Sequence, residues 1–207
     1  MRIFACMAST LDGKIGPANT DHFVALGSQH DLDHLVALRD QADAVLFGAS
    51  TFRAWPKIHQ GTNPDQTLHH FIMSRSLDLD PGSELFQDPS VPVTIITSSD
   101  PGEREFPPHV ALFQTPEDAP MSTILDHIRA RGYDALMVEG GGQVLGQLIA
   151  ARAIQELYLT LIPQFIGQAD APGLLGSQDL GVPLQLEIIE RKQIENETYF
   201  HIRISYS

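Results

Sequence analysis

Short apolar runs alternate with amphipathic stretches along most of the chain. Ile3 to Ala8 opens it as a buried strand, and Asp12-Gly13 marks the turn that follows. Ser28-Gln29-His30-Asp31 has the form of a capping box, with Asp31 in the usual Glu position. Leu32, Leu35, Val36 and Leu38 extend it as an amphipathic helix to about Gln41. Ala44 to Phe47 is a second buried strand, and Gly48-Ala49-Ser50-Thr51 opens a short helix that Pro56 ends. Strands are expected at His70 to Met73, Val91 to Thr97 and Val110 to Phe113. Residues 78–90, rich in Pro, Gly, Asp and Ser, read as loop. Ser122 to Arg131 predicts a helix stopped by Gly132. Ala135 to Val138 is a strand, and Gln143 to Ala151 a helix. Glu156 to Pro163 reads as a strand, and Leu184 to Glu190 with Tyr199 to Tyr206 as a closing antiparallel pair.

Strands alternate with helices early and around Gly140, and strands alone close the chain. This pattern predicts an α/β fold with a mostly parallel sheet and an antiparallel C-terminal edge. In such sheets ligands gather beyond the C-terminal strand ends. Four polar turns fall there: Ser9-Thr10, Gly48 to Thr51, Ser74-Arg75 and Glu139 to Gly142.

The glycine run is the sharpest of these. Gly140-Gly141-Gly142 leaves the backbone bare between a strand and a helix N-terminus, where unpaired N–H groups favour an anion. A tight turn without ligand is the alternative. Gly48, Ser50 and Thr51 repeat the logic, with hydroxyls that either bond phosphate or serve as N-caps. Ser74-Arg75-Ser76 is either a clamp for a ribose 2′-phosphate or a solvated arginine. Asp12 and Lys14 are either a substrate-binding pair or a charged turn. Neither G-x-G-x-x-G nor Walker A occurs, so a dinucleotide would be held by another fold. His30 and His34 have metal-ligand spacing, but no third ligand is spaced to complete a site and no metal is expected. Cys6 reads as core.

The 207 residues suit one domain, and 43% apolar content is ordinary globular composition. A formal charge of −13 argues against nucleic acid or an anionic membrane as the main partner. One cysteine and no membrane-length apolar stretch fit a cytoplasmic setting.

Taken in order, Leu11-Asp12-Gly13-Lys14-Ile15, Asp43 to Ala54, and Val138 to Gly142 with Glu156 to Leu159 resemble the RibD C-terminal reductase family of riboflavin biosynthesis. The resemblance covers nearly the whole chain. It implies a dihydrofolate-reductase-like fold, a three-layer α/β/α arrangement over residues 1–207, and a cytoplasmic homodimer. Leu157 to Ile162 could serve its interface or simply the core. It also implies NADPH-dependent reduction of 5-amino-6-(5-phosphoribosylamino)uracil at the ribose C1′ imine. Gly48, Ser50, Thr51 and Gly140 to Gly142 would hold the cofactor, with Ser74 and Arg75 at its 2′-phosphate. Lys14 and Glu139 would face the substrate and polarise it, with Asp12 orienting Lys14. Family members continue after the Arg-Ala with an Asp-Pro segment and an Arg that grip the ribose phosphate. Here Arg53-Ala54-Trp55-Pro56-Lys57-Ile58-His59 departs from that, leaving Arg53, Lys57 or His59 as substitutes. The departure also admits another pterin-like or carbonyl substrate, including dihydrofolate, or a non-catalytic NADPH-binding protein.

Overall fold

The computed structural model describes residues 1–20, 22 and 24–206. In chain order the elements are β1 (Arg2–Thr10), α1 (Gln29–Arg39), β2 (Ala44–Gly48), α2 (Ala49–Ala54), β3 (His69–Met73), α3 (Glu84–Gln87), β4 (Val93–Thr97), β5 (Val110–Gln114), α4 (Met121–Arg129), β6 (Ala135–Val138), α5 (Gly142–Ala150), β7 (Glu156–Ile162), β8 (Leu186–Ile194) and β9 (Glu197–Ile204). They form a nine-stranded sheet in the order β5-β4-β3-β2-β6-β1-β7-β9-β8. Every pair from β5 to β7 is parallel, while β9 runs antiparallel to both β7 and β8.

Alternation along the strands divides the core in two. Ile3, Ala5 and Met7 of β1 face α4 and α5, packing with Ile128, Leu145 and Leu148. Phe4 and Cys6 face the opposite way, toward Leu38 of α1, Phe52 of α2, and Leu85 and Phe86 of α3. Helices therefore cover both faces of the sheet, as parallel strands with apolar residues on both sides require. β7 lies between β1 and β9, and its Leu157 and Ile162 are buried in the core.

Two local expectations are corrected. The stretch 78–90 is not all loop: Glu84–Gln87 form a helical turn. Leu85 N–H reaches the Pro56 carbonyl, and buried Leu85 and Phe86 hold the turn by tertiary packing rather than propensity. The capping box is also incomplete. Ser28 caps α1 through His30 N–H, but the Ser28 N–H donates to Glu197 on β9. Asp31 turns instead toward the Thr160 hydroxyl on β7.

Candidate active site

The C-terminal ends of β2, β3, β4, β5 and β6 open onto one cleft of about 1700 Å³. Its other wall is built from the end of β1, the segment from Ile15, α1, and residues 170–178. All eight residues expected at a cofactor line it. Gly48, Ser50 and Thr51 come from the β2–α2 turn, and Ser74 and Arg75 from the end of β3. Gly140, Gly141 and Gly142 come from the β6–α5 turn.

The two glycine turns share a floor because neither carries a Cβ between them. A Cβ on Gly141 would lie 3.7 Å from Gly48 N, and one on Gly140 would lie 3.2 Å from the Thr51 hydroxyl. Gly140 and Gly141 have φ of +124° and +75°, where L side chains are strained. No side chain caps α5, so its first-turn N–H groups are left to a ligand or solvent. Ser74 is buried, and its oxygen accepts from Leu77 N–H at 3.0 Å, which fixes the turn that projects exposed Arg75. The Ser99 hydroxyl donates to the Arg75 carbonyl from the β4 end.

Gly142 and Gly146 serve a different purpose. A Cβ on Gly142 would overlap the Gly173 carbonyl oxygen, and one on Gly146 the Leu175 carbonyl oxygen. Their one-turn spacing lets the backbone of 173–176 lie directly on α5. Gly142→Ala should cost about 1–3 kcal/mol in urea denaturation by forcing that loop away. A variant as stable as the parent would show that the loop yields freely.

Asp12 and Lys14 do not line the cleft; they staple its wall from behind. Asp12 accepts from Thr10 Oγ1, Ile166 N and Gly167 N, and the Thr10 bond is the main cause of a carboxyl held down at about 2. The Lys14 ammonium donates to the carbonyls of Ala171 at 2.9 Å and Ala169 at 3.3 Å. The backbone beside them adds Leu174 N–H to Gly13 O and Ile15 N–H to Pro172 O. Lys57 also stands off the cleft, its ammonium 5.0 Å over the Trp55 ring. Arg53 lines the cleft but reaches the Asp78 carbonyl at 3.2 Å and lies 3.6 Å from its carboxylate. Lys14, Arg53 and Lys57 are thus each held by separate partners.

Glu139 lines the cleft at its backbone, but its carboxylate is buried rather than set at the mouth. Arg39, the last residue of α1, grips both oxygens at 2.7 Å and donates to the Gln60 carbonyl at 3.1 Å. His59 Nδ1 donates to Glu139 Oε2 at 2.6 Å, while the ring stacks on Phe47. Burial would raise the Glu139 carboxyl; His59 and Arg39 outweigh it and hold the group below the usual carboxylate range. His59 N–H donates to His70 Nε2, so the proton of His70 sits on Nδ1 and donates to the Leu68 carbonyl. Sequence reasoning did not single out Arg39, and it named His59 only as a substitute. Nothing local distinguishes an arginine that ends a helix. His30 and His34 diverge: His30 lies 3.8 Å from Glu195, and His34 packs edge-on against Tyr158 and Tyr199.

Comparison with known proteins agrees with this architecture. The model of the RibD C-terminal domain matches residues 2–200. A 2,5-diamino-6-ribosylamino-4(3H)-pyrimidinone 5′-phosphate reductase of Archaeoglobus fulgidus is 24% identical, over 91% of this chain and 92% of that protein. The crystal structure of a diaminohydroxyphosphoribosylaminopyrimidine deaminase/5-amino-6-(5-phosphoribosylamino)uracil reductase from Thermotoga maritima superposes with a TM-score of 0.79 at 22% identity. It covers 99% of this chain, which spans only 56% of that longer one. A dihydrofolate reductase from Enterococcus faecalis, complexed with NADP(H), superposes at a TM-score of 0.58 and 15% identity, covering 99% of this chain and 97% of that one. The fold is dihydrofolate-reductase-like.

Proposed function

Because the chain belongs to the RibD C-terminal domain family, we propose that it is an NADPH-dependent reductase of 5-amino-6-(5-phosphoribosylamino)uracil or its 2-amino counterpart in riboflavin biosynthesis. The observation that carries the reading is the shared floor of the Gly48 and Gly140–Gly142 turns beside Arg75. Bare backbone, an uncapped helix N-terminus and a guanidinium in one cleft suit the pyrophosphate and 2′-phosphate of NADPH. The bound cofactor would supply hydride. The substrate would be an N-glycoside that can exchange its C1′–O4′ bond for a C1′=N imine, leaving a free hydroxyl; C1′ is then the carbon that would accept the hydride, and the nitrogen the atom that would take a proton. The chain holds the two reactants in contact and excludes water from between them. In this reading Lys14 and Glu139 build the substrate wall, one through the carbonyls of 169 and 171 and the other through Arg39 and His59.

Fluorescence titration with NADPH tests the cofactor. Binding below millimolar concentration is expected, and its absence overturns the reading. Thr51→Asp, which sets a carboxylate over Gly140, should weaken NADPH at least tenfold, about 1.4 kcal/mol. Unchanged affinity would remove that turn from the phosphate site. We also propose a homodimer. Leu186, Ile188 and Ile189 on edge strand β8 are 42–57% exposed, an apolar strip suited to a second copy. A monomer in sedimentation at micromolar concentration would exclude this.

A further inference from the structure

We propose that the chain recognises its substrate through the heterocycle and sugar, and that a 5′-phosphate adds little. This deepens the reductase reading and rests on it. The observation is where the cationic side chains are held. Among the described residues, Arg39, Arg53 and Arg75 are the Lys and Arg residues lining the cleft. Arg75 follows β3 and Arg53 lies on α2 after β2, so both stand over the strands that carry the cofactor turns. The other half of the cleft lies over β1, walled by α1 and residues 170–178.

In that half the one guanidinium is already neutralised. Arg39 gives two bonds to Glu139 and a third to the Gln60 carbonyl, and its side chain is 9% exposed. Releasing it to a phosphate would strand the buried Glu139 carboxylate beside a second anion. Lys14 does not line the cleft and spends its ammonium on the backbone carbonyls of Ala169 and Ala171. Lys57 lies on Trp55. What faces the cavity here adds no further Lys or Arg among the described residues: Leu32, Leu35 and Val36 of α1, the neutral Gln29, Ser177 and Gln178, and the acids Asp31 and Asp170. Asp31 is partly buried with a hydroxyl partner in Thr160, and Asp170 accepts from the Asn19 amide. A phosphate dianion would meet these carboxylates, inside a chain of net charge −13. A neutral ring bearing N–H groups meets acceptors it can use.

The test is a steady-state comparison at saturating NADPH. Its two substrates are 5-amino-6-(5-phosphoribosylamino)uracil and the same compound without its phosphate. The expected kcat/KM values agree within tenfold. A preference above tenfold for the phosphorylated compound overturns the inference. If neither compound consumes NADPH, the reductase reading itself fails and the inference falls with it. Leu32→Arg adds a cation at an exposed position of the same wall. It should raise the preference for the phosphorylated compound at least threefold, and an unchanged ratio overturns the electrostatic argument.

Discussion

Replacing Glu139 by alanine should cost about 3–5 kcal/mol of folding stability, the range for breaking a buried ion pair on one side. The carboxylate is 2% exposed and serves both Arg39 and His59. Its removal leaves a buried guanidinium with only the Gln60 carbonyl and a long contact to His59 Nδ1 at 3.4 Å, its charge uncompensated. A surface ion pair would register less than about 1 kcal/mol, so the size of the loss itself reports burial. Urea denaturation at pH 7 measures it. A loss under 1 kcal/mol would mean that water enters and the pair is not closed. Replacing both partners, as in Arg39→Met with Glu139→Leu, should recover most of the loss. Two well-packed apolar groups avoid the desolvation that a buried pair must offset. If the double variant is as unstable as Glu139→Ala, the damage is to packing rather than charge. The pair also joins the end of α1 to the turn after β6, so the single variant should loosen the wall facing the glycine turns.

What could be read from the sequence was what is local. A short apolar run followed by glycines is a strand ending in a turn whatever surrounds it, and β2, β6 and their turns lie where that logic puts them. The glycine-lined half of the cleft follows, since a parallel sheet brings the C-terminal strand ends together. The opposite half, walled by α1 and residues 170–178, depends on pairs far apart in the chain. Arg39 meets Glu139 across 100 residues, and Lys14 meets Ala169 across 155. An Asp-Gly-Lys turn does not reveal whether its charges face a ligand or staple a distant loop. β8 begins two residues later than expected and runs four further, to Ile194, because an edge strand exposed on both faces lacks the apolar alternation that marks an end. Helix α3 has no periodicity to read in four residues.

Acid should destabilise this chain from about pH 6.5 downward, before most carboxylates titrate, and His70 is the main reason. Burial, then the charge of His59, pushes its pKa from 6.5 down to about 3. The hydrogen bonds say why. Nδ1–H is committed to the Leu68 carbonyl, and Nε2 receives the His59 N–H at 3.0 Å. A second proton on Nε2 would set two donors against each other in a fully buried site. Arg39 also opposes that proton, and Glu139, already engaged, favours it only in part. The sign follows from proton counts. Between pH 6.5 and about 3 the unfolded chain binds a proton that the folded chain refuses, so stability rises with pH there. The contribution is whole above 6.5 and is lost as pH falls toward 3, at up to about 1.4 kcal/mol per unit, or roughly 5 kcal/mol across the window. His69, held down to about 4 by burial beside Tyr133 and Thr94, adds to the same slope. Urea midpoints from pH 8 to 4 should therefore fall steadily below 6.5. His70→Gln keeps an acceptor and a donor but cannot titrate. It should be less stable at pH 7 and show a slope smaller by up to one proton. An unchanged slope would mean that His70 is protonated in the folded chain and that the His59–His70 bond does not form as described.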